Sequence, residues 1–325
     1  MNNIIVTGGS GYIGSHIVNL FAKNGYNVFS LDKEPWEGIL HHGINPYIVN
    51  LQNYNEIVNV FKEIDKIDCI IHCAGELGIN RSYEKKDLFY KQNVFVTDCM
   101  LDIAVQFNVK NFIFASSASV YADSNHPVST NNRISDSPSP YSQSKLICEE
   151  KLKRVTEYAD LNYLIFRYFN VVGCDTNEIV LFNKYLHKPQ LFPRLIQTYV
   201  HNSVLQINGN HYSTSDGTCI RDYINVLDLA KLHFLAYKQM VSDKWSQQFN
   251  GIYNAGTGHG WSVMEIIDLC KQIMQRPVKI AIAKERRGDS QYLCANIEST
   301  KRIFNWEPTL SAKDTLASLF LKVYS

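Results

Sequence analysis

Through its first half the chain alternates short apolar runs with stretches whose apolar residues recur at helical spacing. Runs at 3–7, 26–31, 46–49, 68–72, 111–115 and 162–167 read as strands, and helical patterns lie near 15–24, 54–64, 84–108 and 141–158. Apolar strands separated by helices predict an α/β fold, a doubly wound parallel sheet covered on both faces. Beyond residue 171 the pattern loosens. A loop-rich stretch (173–193) leads to a helix near 193–202, a strand at 204–207 and a polar, turn-rich run at 209–218. Helices near 226–241 and 262–275 and a strand at 278–282 follow. The expected division is a parallel-sheet domain over 1–171 and a smaller α/β region over 172–325, with some elements of the second interleaving with the first.

The first strand runs straight into glycines, in Asn3-Ile-Ile-Val-Thr-Gly-Gly-Ser-Gly-Tyr-Ile-Gly14. Glycine loops of this kind allow a tight turn, close backbone approach to a pyrophosphate and tight packing of the following helix on the strand. The N–H groups at that helix's start are then free for phosphates. A glycine pattern alone is weak evidence, but its context is complete: a strand before, a helix after, a second strand at Asn27-Val-Phe-Ser-Leu31 and an acid, Asp32, at its end. Asp32 is placed to accept hydrogen bonds from ribose hydroxyls and to repel a 2′-phosphate, which favours NAD over NADP. Lys33 beside it reads as a solvated loop charge. In such sheets ligands bind beyond the carboxyl ends of the strands, and Gly8–Gly14, Ala74-Gly75, Ser116-Ser117 and Asn170 all fall at predicted strand ends.

Two further residues carry reaction chemistry. Tyr141 and Lys145 stand four apart in a helical stretch and so share a face. A lysine ammonium near a tyrosine oxygen favours the phenolate, and a tyrosine acting as a base at neutral pH needs roughly 4 kcal/mol of such help. An oxidised nicotinamide, itself cationic, adds to it. The same spacing arises by chance on surface helices. It gains weight here because the glycine fingerprint opens the same chain.

Composition narrows the partners. A content of 45% hydrophobic and 19% charged residues describes an ordinary globular chain, and a net charge of +1 gives no reason to expect nucleic acid or acidic membranes. The first strand begins within three residues of the start and no apolar run reaches a membrane span, so a cytoplasmic protein is expected. Eight cysteines are scattered without a Cys-x-x-Cys pair. Cys69, His72 and Cys73 resemble metal ligands at first sight, but on a strand residue 72 faces away from 69 and 73, so no metal is expected and the thiols read as core filling.

The motifs together resemble the extended short-chain dehydrogenase/reductase family, and within it the nucleotide-sugar 4-epimerases. The likeness spans essentially the whole chain and rests on Val6-Thr-Gly-Gly-Ser-Gly-Tyr-Ile-Gly-Ser-His16, Val109-Lys-Asn-Phe-Ile-Phe114, Ser137-Pro-Ser-Pro-Tyr141, Arg167-Tyr-Phe-Asn170 and Asp216-Gly-Thr-Cys-Ile-Arg-Asp-Tyr-Ile224. It implies a Rossmann-like fold, NAD as cofactor and the interconversion of UDP-glucose and UDP-galactose. It further implies Ser117, Tyr141 and Lys145 as the catalytic set. The cofactor would be held by Gly8, Gly11, Tyr12, Ile13, Gly14, Asp32, Lys33, Asn50, Leu51, Ala74, Gly75, Asn93, Ser116 and Tyr168 together with Tyr141 and Lys145. The UDP-sugar would meet Ser117, Tyr141, Asn170, Gln190, Leu191, Gln206, Asn208, Arg221, Arg286, Asp289 and Leu293. A nucleoside diphosphate needs cations and donors in the second half of the chain, and Arg221 and Arg286-Arg287 supply them.

Some positions depart from the family pattern. Leu77 stands where many epimerases have a lysine reaching the cofactor, and Asn50 where an acid commonly meets the adenine. Ala118 and Ser119 replace the acidic pair of the related dehydratases, so water elimination is not expected. Tyr121 lacks a lysine four residues on, which leaves Tyr141 as the base. Another UDP-sugar (UDP-N-acetylglucosamine, UDP-glucuronate or a UDP-pentose) is the alternative substrate. Leu293, where a bulky tyrosine restricts relatives to plain hexoses, is expected to admit acetylated ones. A non-catalytic nucleotide sensor would typically have lost the tyrosine or the lysine. Relatives pair two helices per subunit, so a homodimer through 84–108 and 141–158 is expected, with Val94, Met100, Leu101, Ile147 and Leu152 as apolar contacts.

Overall fold

The computed structural model describes residues 2–324. Its centre is a seven-stranded sheet, all parallel, whose strands lie side by side in the order 251–255, 162–168, 111–117, 69–72, 3–7, 27–32 and 44–48. The first six strands in sequence are β1 (Asn3–Thr7), β2 (Asn27–Asp32), β3 (Ile44–Ile48), β4 (Cys69–His72), β5 (Asn111–Ser117) and β6 (Asn162–Tyr168). Side chains alternate across the sheet: Ile4 and Val6 of β1 enter one core, with Ile17, Phe21 and Tyr237, while Ile5 enters the other, with Phe61, Met100 and Phe112. Both faces are therefore dry, as the unbroken apolar character of β1 and β4 requires.

The remaining strands are β7 (Asn170–Val172), β8 (Val204–Asn208), β9 (Ile220–Asn225), β10 (Gly251–Ala255), β11 (Gly260–Ser262), β12 (Lys279–Ala283) and β13 (Tyr292–Leu293). β9 is the centre of a small sheet, flanked by β11 and β13 and also paired with β7, and β8 pairs in parallel with β12. Tyr185, Phe192, Ile266 and Leu316 fill a third core behind them. One strand of the second half belongs to the large sheet: β10 lies beside β6, with Ile252 opposite Ile165. The helix Val226–Met240 likewise covers the large sheet, packing Phe234 and Tyr237 on Phe21 of the helix Tyr12–Lys23.

Other elements differ from the sequence pattern. The helix expected over 84–108 runs without a break from Lys86 to Gln106, with a π-helical turn Tyr90–Phe95 between Lys86–Phe89 and Val96–Gln106, and a separate short helix, Ile79–Glu84, precedes it. The stretch 173–193 contains a helix, Ile179–Leu186, and Arg221 sits within strand β9, beyond the turn-rich run that precedes it. Of two helices near the end, Glu298–Phe304 packs Phe304 on Phe166 and Tyr253 of the large sheet, and Ala312–Tyr324 adds Leu316, Leu319 and Phe320 to the third core. No helix among the described residues is long and apolar enough to cross a membrane.

Candidate active site

The carboxyl ends of β1, β2, β4, β5 and β6 open onto one cleft of about 840 Å³, closed on its far side by β7, β8, β9 and the loop that holds Arg286 and Asp289. At one end lies the glycine loop. Gly8 turns the chain with φ +67°, and a Cβ there would stand 2.8 Å from the Ala74 nitrogen. Gly14 is tighter still: a Cβ would lie 2.2 Å from the Gly8 carbonyl oxygen. The two glycines thus let the helix Tyr12–Lys23 press against the strand ends. Its N-cap, Gly11, offers no side-chain acceptor, so the first N–H groups face the cleft uncapped. Asp32 closes β2, its Oδ2 accepting from the Ser10 N–H at 3.1 Å.

Tyr141 enters through the helix Pro140–Val155. Proline at the first position and Ser139 as N-cap, its hydroxyl accepting the Ser142 N–H at 3.1 Å, start that helix just before the tyrosine. Lys145 follows one turn later and is buried, its Nζ donating to the Ala115 carbonyl at 2.8 Å. A Cβ on Gly75 would lie 3.5 Å from that Nζ, so the ammonium stands beside the backbone that follows β4. Burial pushes the Tyr141 phenol above its ordinary range, opposed by the Ser117 hydroxyl. Burial pushes the Lys145 ammonium down, opposed by the thiols of Cys148 and Cys73 and the carboxylate of Glu149. Tyr168, at the end of β6, is anchored from behind by His233, with 2.7 Å between its hydroxyl and Nε2.

The far end of the cleft is cationic. Arg221 is buried and donates to Asp289 at 2.6 Å. Arg286 lies with Nη2 and Nε at 3.1 and 3.2 Å from the Asn208 side-chain amide. Arg194, from the helix Leu191–Val200, donates to the Gln206 carbonyl at 2.7 Å. Burial and then the Arg286 charge lower its proton affinity. Neither Arg194 nor Arg286 has a carboxylate within ion-pair distance among the described residues. Two guanidiniums held near each other without a counter-charge suit a polyanion such as a diphosphate.

Most residues singled out from the sequence converge here. Gly8, Gly11, Tyr12, Ile13, Gly14, Asp32, Lys33, Asn50, Leu51, Ala74, Gly75, Ser116, Ser117, Tyr141, Lys145 and Tyr168 line the cleft, with Asn170, Gln190, Leu191, Gln206, Asn208, Arg221, Arg286 and Asp289 opposite. Two do not. Asn93 is buried behind it, its Oδ1 accepting from the Glu76 N–H at 2.7 Å and its Nδ2 donating to Ser144 at 2.9 Å, so it braces the segment after β4. Leu293 pairs with Arg221 through β13 and packs on the main core. The cleft also contains residues the sequence did not single out for it, among them Arg194, Lys188, Arg81 and Cys73. Arg194 had a legible signal, a cation near the N-terminal end of a helix, where the dipole disfavours it.

His72 is buried and neutral, its proton affinity lowered to about 3 by burial and the Lys145 charge. Both its ring nitrogens face hydroxyls, Thr7 at 2.6 Å and Thr97 at 3.1 Å, which leaves neither for a metal.

The family description "NAD dependent epimerase/dehydratase family" matches residues 4–256. The chain belongs to that family. It is 33% identical to a UDP-glucose 4-epimerase of Halalkalibacterium halodurans over 96% of this chain and 92% of that protein. It is 32% identical to a UDP-glucose 4-epimerase of Rhizobium meliloti, over 94% and 92%. Among solved structures, the UDP-glucose 4-epimerase of Bifidobacterium longum in complex with NAD+ and UDP superposes with a TM-score of 0.86 at 30% identity, over 98% of this chain and 97% of that one. The family's cofactor is NAD, and the glycine loop fits it: a passage with no room for a Cβ, an uncapped helix start for the pyrophosphate and Asp32 at the end of β2 for the ribose.

Proposed function

We propose that the protein is an NAD-dependent 4-epimerase that interconverts UDP-glucose and UDP-galactose. The observation that carries this reading is one cleft with Tyr141, Lys145 and Ser117 at its centre and an arginine cluster without enough carboxylates at its far end. Arg221, Arg286 and Arg194 bind the diphosphate, and Asn170, Gln190, Leu191, Gln206 and Asn208 surround the rest of the UDP moiety. Tyr141 takes the proton of the sugar's 4-hydroxyl, Ser117 orients that hydroxyl, and Lys145 stabilises the phenolate. The bound cofactor supplies hydride acceptance and return at C4. Tyr141 then returns its proton to the re-formed hydroxyl once the keto sugar, still tethered by UDP, has turned its other face. Ala118 and Ser119 leave no acid–base pair for dehydration at C5–C6.

The test uses the purified protein with no added cofactor. Mass spectrometry of small molecules released on denaturation should find NAD, and incubation with UDP-galactose should yield UDP-glucose. Absence of both conversion and bound NAD would overturn the reading. UDP-N-acetylgalactosamine and UDP-glucuronate in parallel arms decide whether another UDP-sugar is preferred.

The proposed setting is cytoplasmic, in keeping with eight free cysteines, seven of them buried. The proposed assembly is a homodimer. Met100, Leu101 and Leu152 are taken up by the protomer's own core, so they are not its contacts. Val94 and Ile147 are partly buried, and the exposed large apolar side chains of 84–108 and 141–158 are Phe95, at 47% exposure, Val105, at 42%, and Tyr158, at 73%. Sedimentation at micromolar concentration should show a dimer that Phe95→Glu weakens, and monomer alone would remove the proposal.

A further inference from the structure

Behind the reacting groups lies a buried ionic cluster that neither touches substrate nor moves a proton in the reaction proposed above, although its carboxylate charge reaches Lys145. Glu149 and Arg167 are 2% and 3% exposed. The carboxylate accepts three hydrogen bonds: from Ser116 Oγ at 2.5 Å, from Arg167 Nε at 3.0 Å and from Arg167 Nη2 at 2.7 Å. The guanidinium lies 4.8 Å from the centre of the Tyr121 ring, whose hydroxyl donates to Asn254 of β10 at 2.6 Å. Arg167 Nη1 is buried without a partner.

A buried ion pair is poor evidence for stability, because well-packed apolar residues of similar volume hold a fold together as well or better. Its placement is more informative. Ser116 is next to Ser117 at the end of β5. Glu149 lies one turn beyond Lys145 on the same face of Pro140–Val155, and Arg167 precedes Tyr168 at the end of β6. Lys145 already ties that helix to Ala115, the residue before Ser116. The helix is thus fixed to the end of β5 at two successive residues, and the planar guanidinium adds β6 through a two-pronged contact.

We propose that Glu149 and Arg167 are positioning residues for the reaction. The pair locks the ends of β5, Pro140–Val155 and β6 together, so that Ser117, Tyr141, Lys145 and Tyr168 keep one relative geometry. This rests on the epimerase reading. Misplacement of reacting groups by about 1 Å lowers turnover by on the order of a hundredfold, whereas UDP, held by the other side of the cleft, does not sense it.

The test is the double variant Glu149→Leu/Arg167→Met, which removes both charges and keeps the volume near that of the pair. The expected result is a melting temperature near that of the wild type, unchanged UDP affinity, KM for UDP-galactose within about twofold and kcat reduced at least ~10-fold. Glu149→Gln, which keeps a side-chain amide in place of the carboxylate, should lose less. A folded double variant with wild-type kcat overturns the inference, as does a loss in which UDP affinity falls in step with kcat. Should the double variant not fold, Glu149→Gln and Arg167→Lys carry the decision: wild-type kcat in both overturns it. Lack of turnover in the wild type itself would instead overturn the epimerase reading.

Discussion

Replacing Tyr141 with phenylalanine should lower turnover by ~10²-fold or more while leaving UDP affinity nearly unchanged. The ring is buried against Phe89, with 6.0 Å between the ring centres, so the substitution keeps the packing and removes only the oxygen. Burial raises the affinity of that oxygen for its proton, and in the protein alone only the Ser117 hydroxyl is placed to oppose it. In the proposed reaction the Lys145 ammonium and a bound oxidised nicotinamide would supply the positive charge that ionisation at neutral pH requires. The sign of the pH dependence follows. Turnover should rise with pH as Tyr141 ionises and then level off. Lys145→Ala should move that rise to higher pH, so its defect shrinks in alkaline buffer, whereas Tyr141→Phe shows no such recovery. Steady-state kcat over a pH series checks both. A Tyr141→Phe protein at near-normal rate would remove the tyrosine from the reaction, and a Lys145→Ala profile parallel to the wild type would remove the electrostatic role of the lysine.

The contrast between what was legible in the sequence and what was not has physical causes. β1 and β4 are buried on both faces, so Ile4-Ile-Val6 and Cys69-Ile-Ile71 read as continuous apolar runs, and β1 pairs with β2, the next strand in sequence. β10 is Gly-Ile-Tyr-Asn-Ala, a five-residue strand with a glycine and an asparagine, and nothing local ties it to β6 more than eighty residues earlier. The helix over 84–108 carried the right apolar spacing, but it cannot show the π-helical turn that brings Asn93 behind the segment after β4. Site residues were legible where the backbone itself is the device, as at Gly8 and Gly14. They were also legible where a fixed spacing brings two groups of one helix into one cleft, as at Tyr141 and Lys145. Arg194 left only a faint signal, a cation in the first turn of a helix, because its meaning comes from the neighbouring Arg286 and from the absence of a carboxylate near either among the described residues. Leu293 is a different case: counting along the chain from Asp289 reaches it, but in the protein alone it is partly buried, pairs with Arg221 through β13 and stands outside the cleft lining.

The second large effect is expected at Gly14. An added methyl would sit 2.2 Å from the Gly8 carbonyl oxygen and 2.9 Å from Gly9 Cα. Both obstacles are backbone, so no side chain can swing away, and the helix Tyr12–Lys23 must withdraw by about 1 Å to restore ordinary contact. Its N–H groups then retreat from the pyrophosphate, where a short hydrogen bond to a charged oxygen contributes about 1.5–3 kcal/mol. Gly14→Ala should therefore lose NAD affinity by roughly a hundredfold and be purified largely without cofactor, with activity returning in part when NAD is supplied in excess. Gly11 provides the comparison within the same loop. Its backbone is extended, with φ −75° and ψ 176°, and a Cβ there meets only the Gly8 carbonyl, at 3.0 Å. Gly11→Ala should thus lose less affinity than Gly14→Ala. Cofactor content of the two purified variants, titration with NAD after stripping and circular dichroism to confirm folding together make the measurement. Equal retention of NAD by Gly14→Ala and the wild type would mean that the close approach of helix to strand does not serve the cofactor.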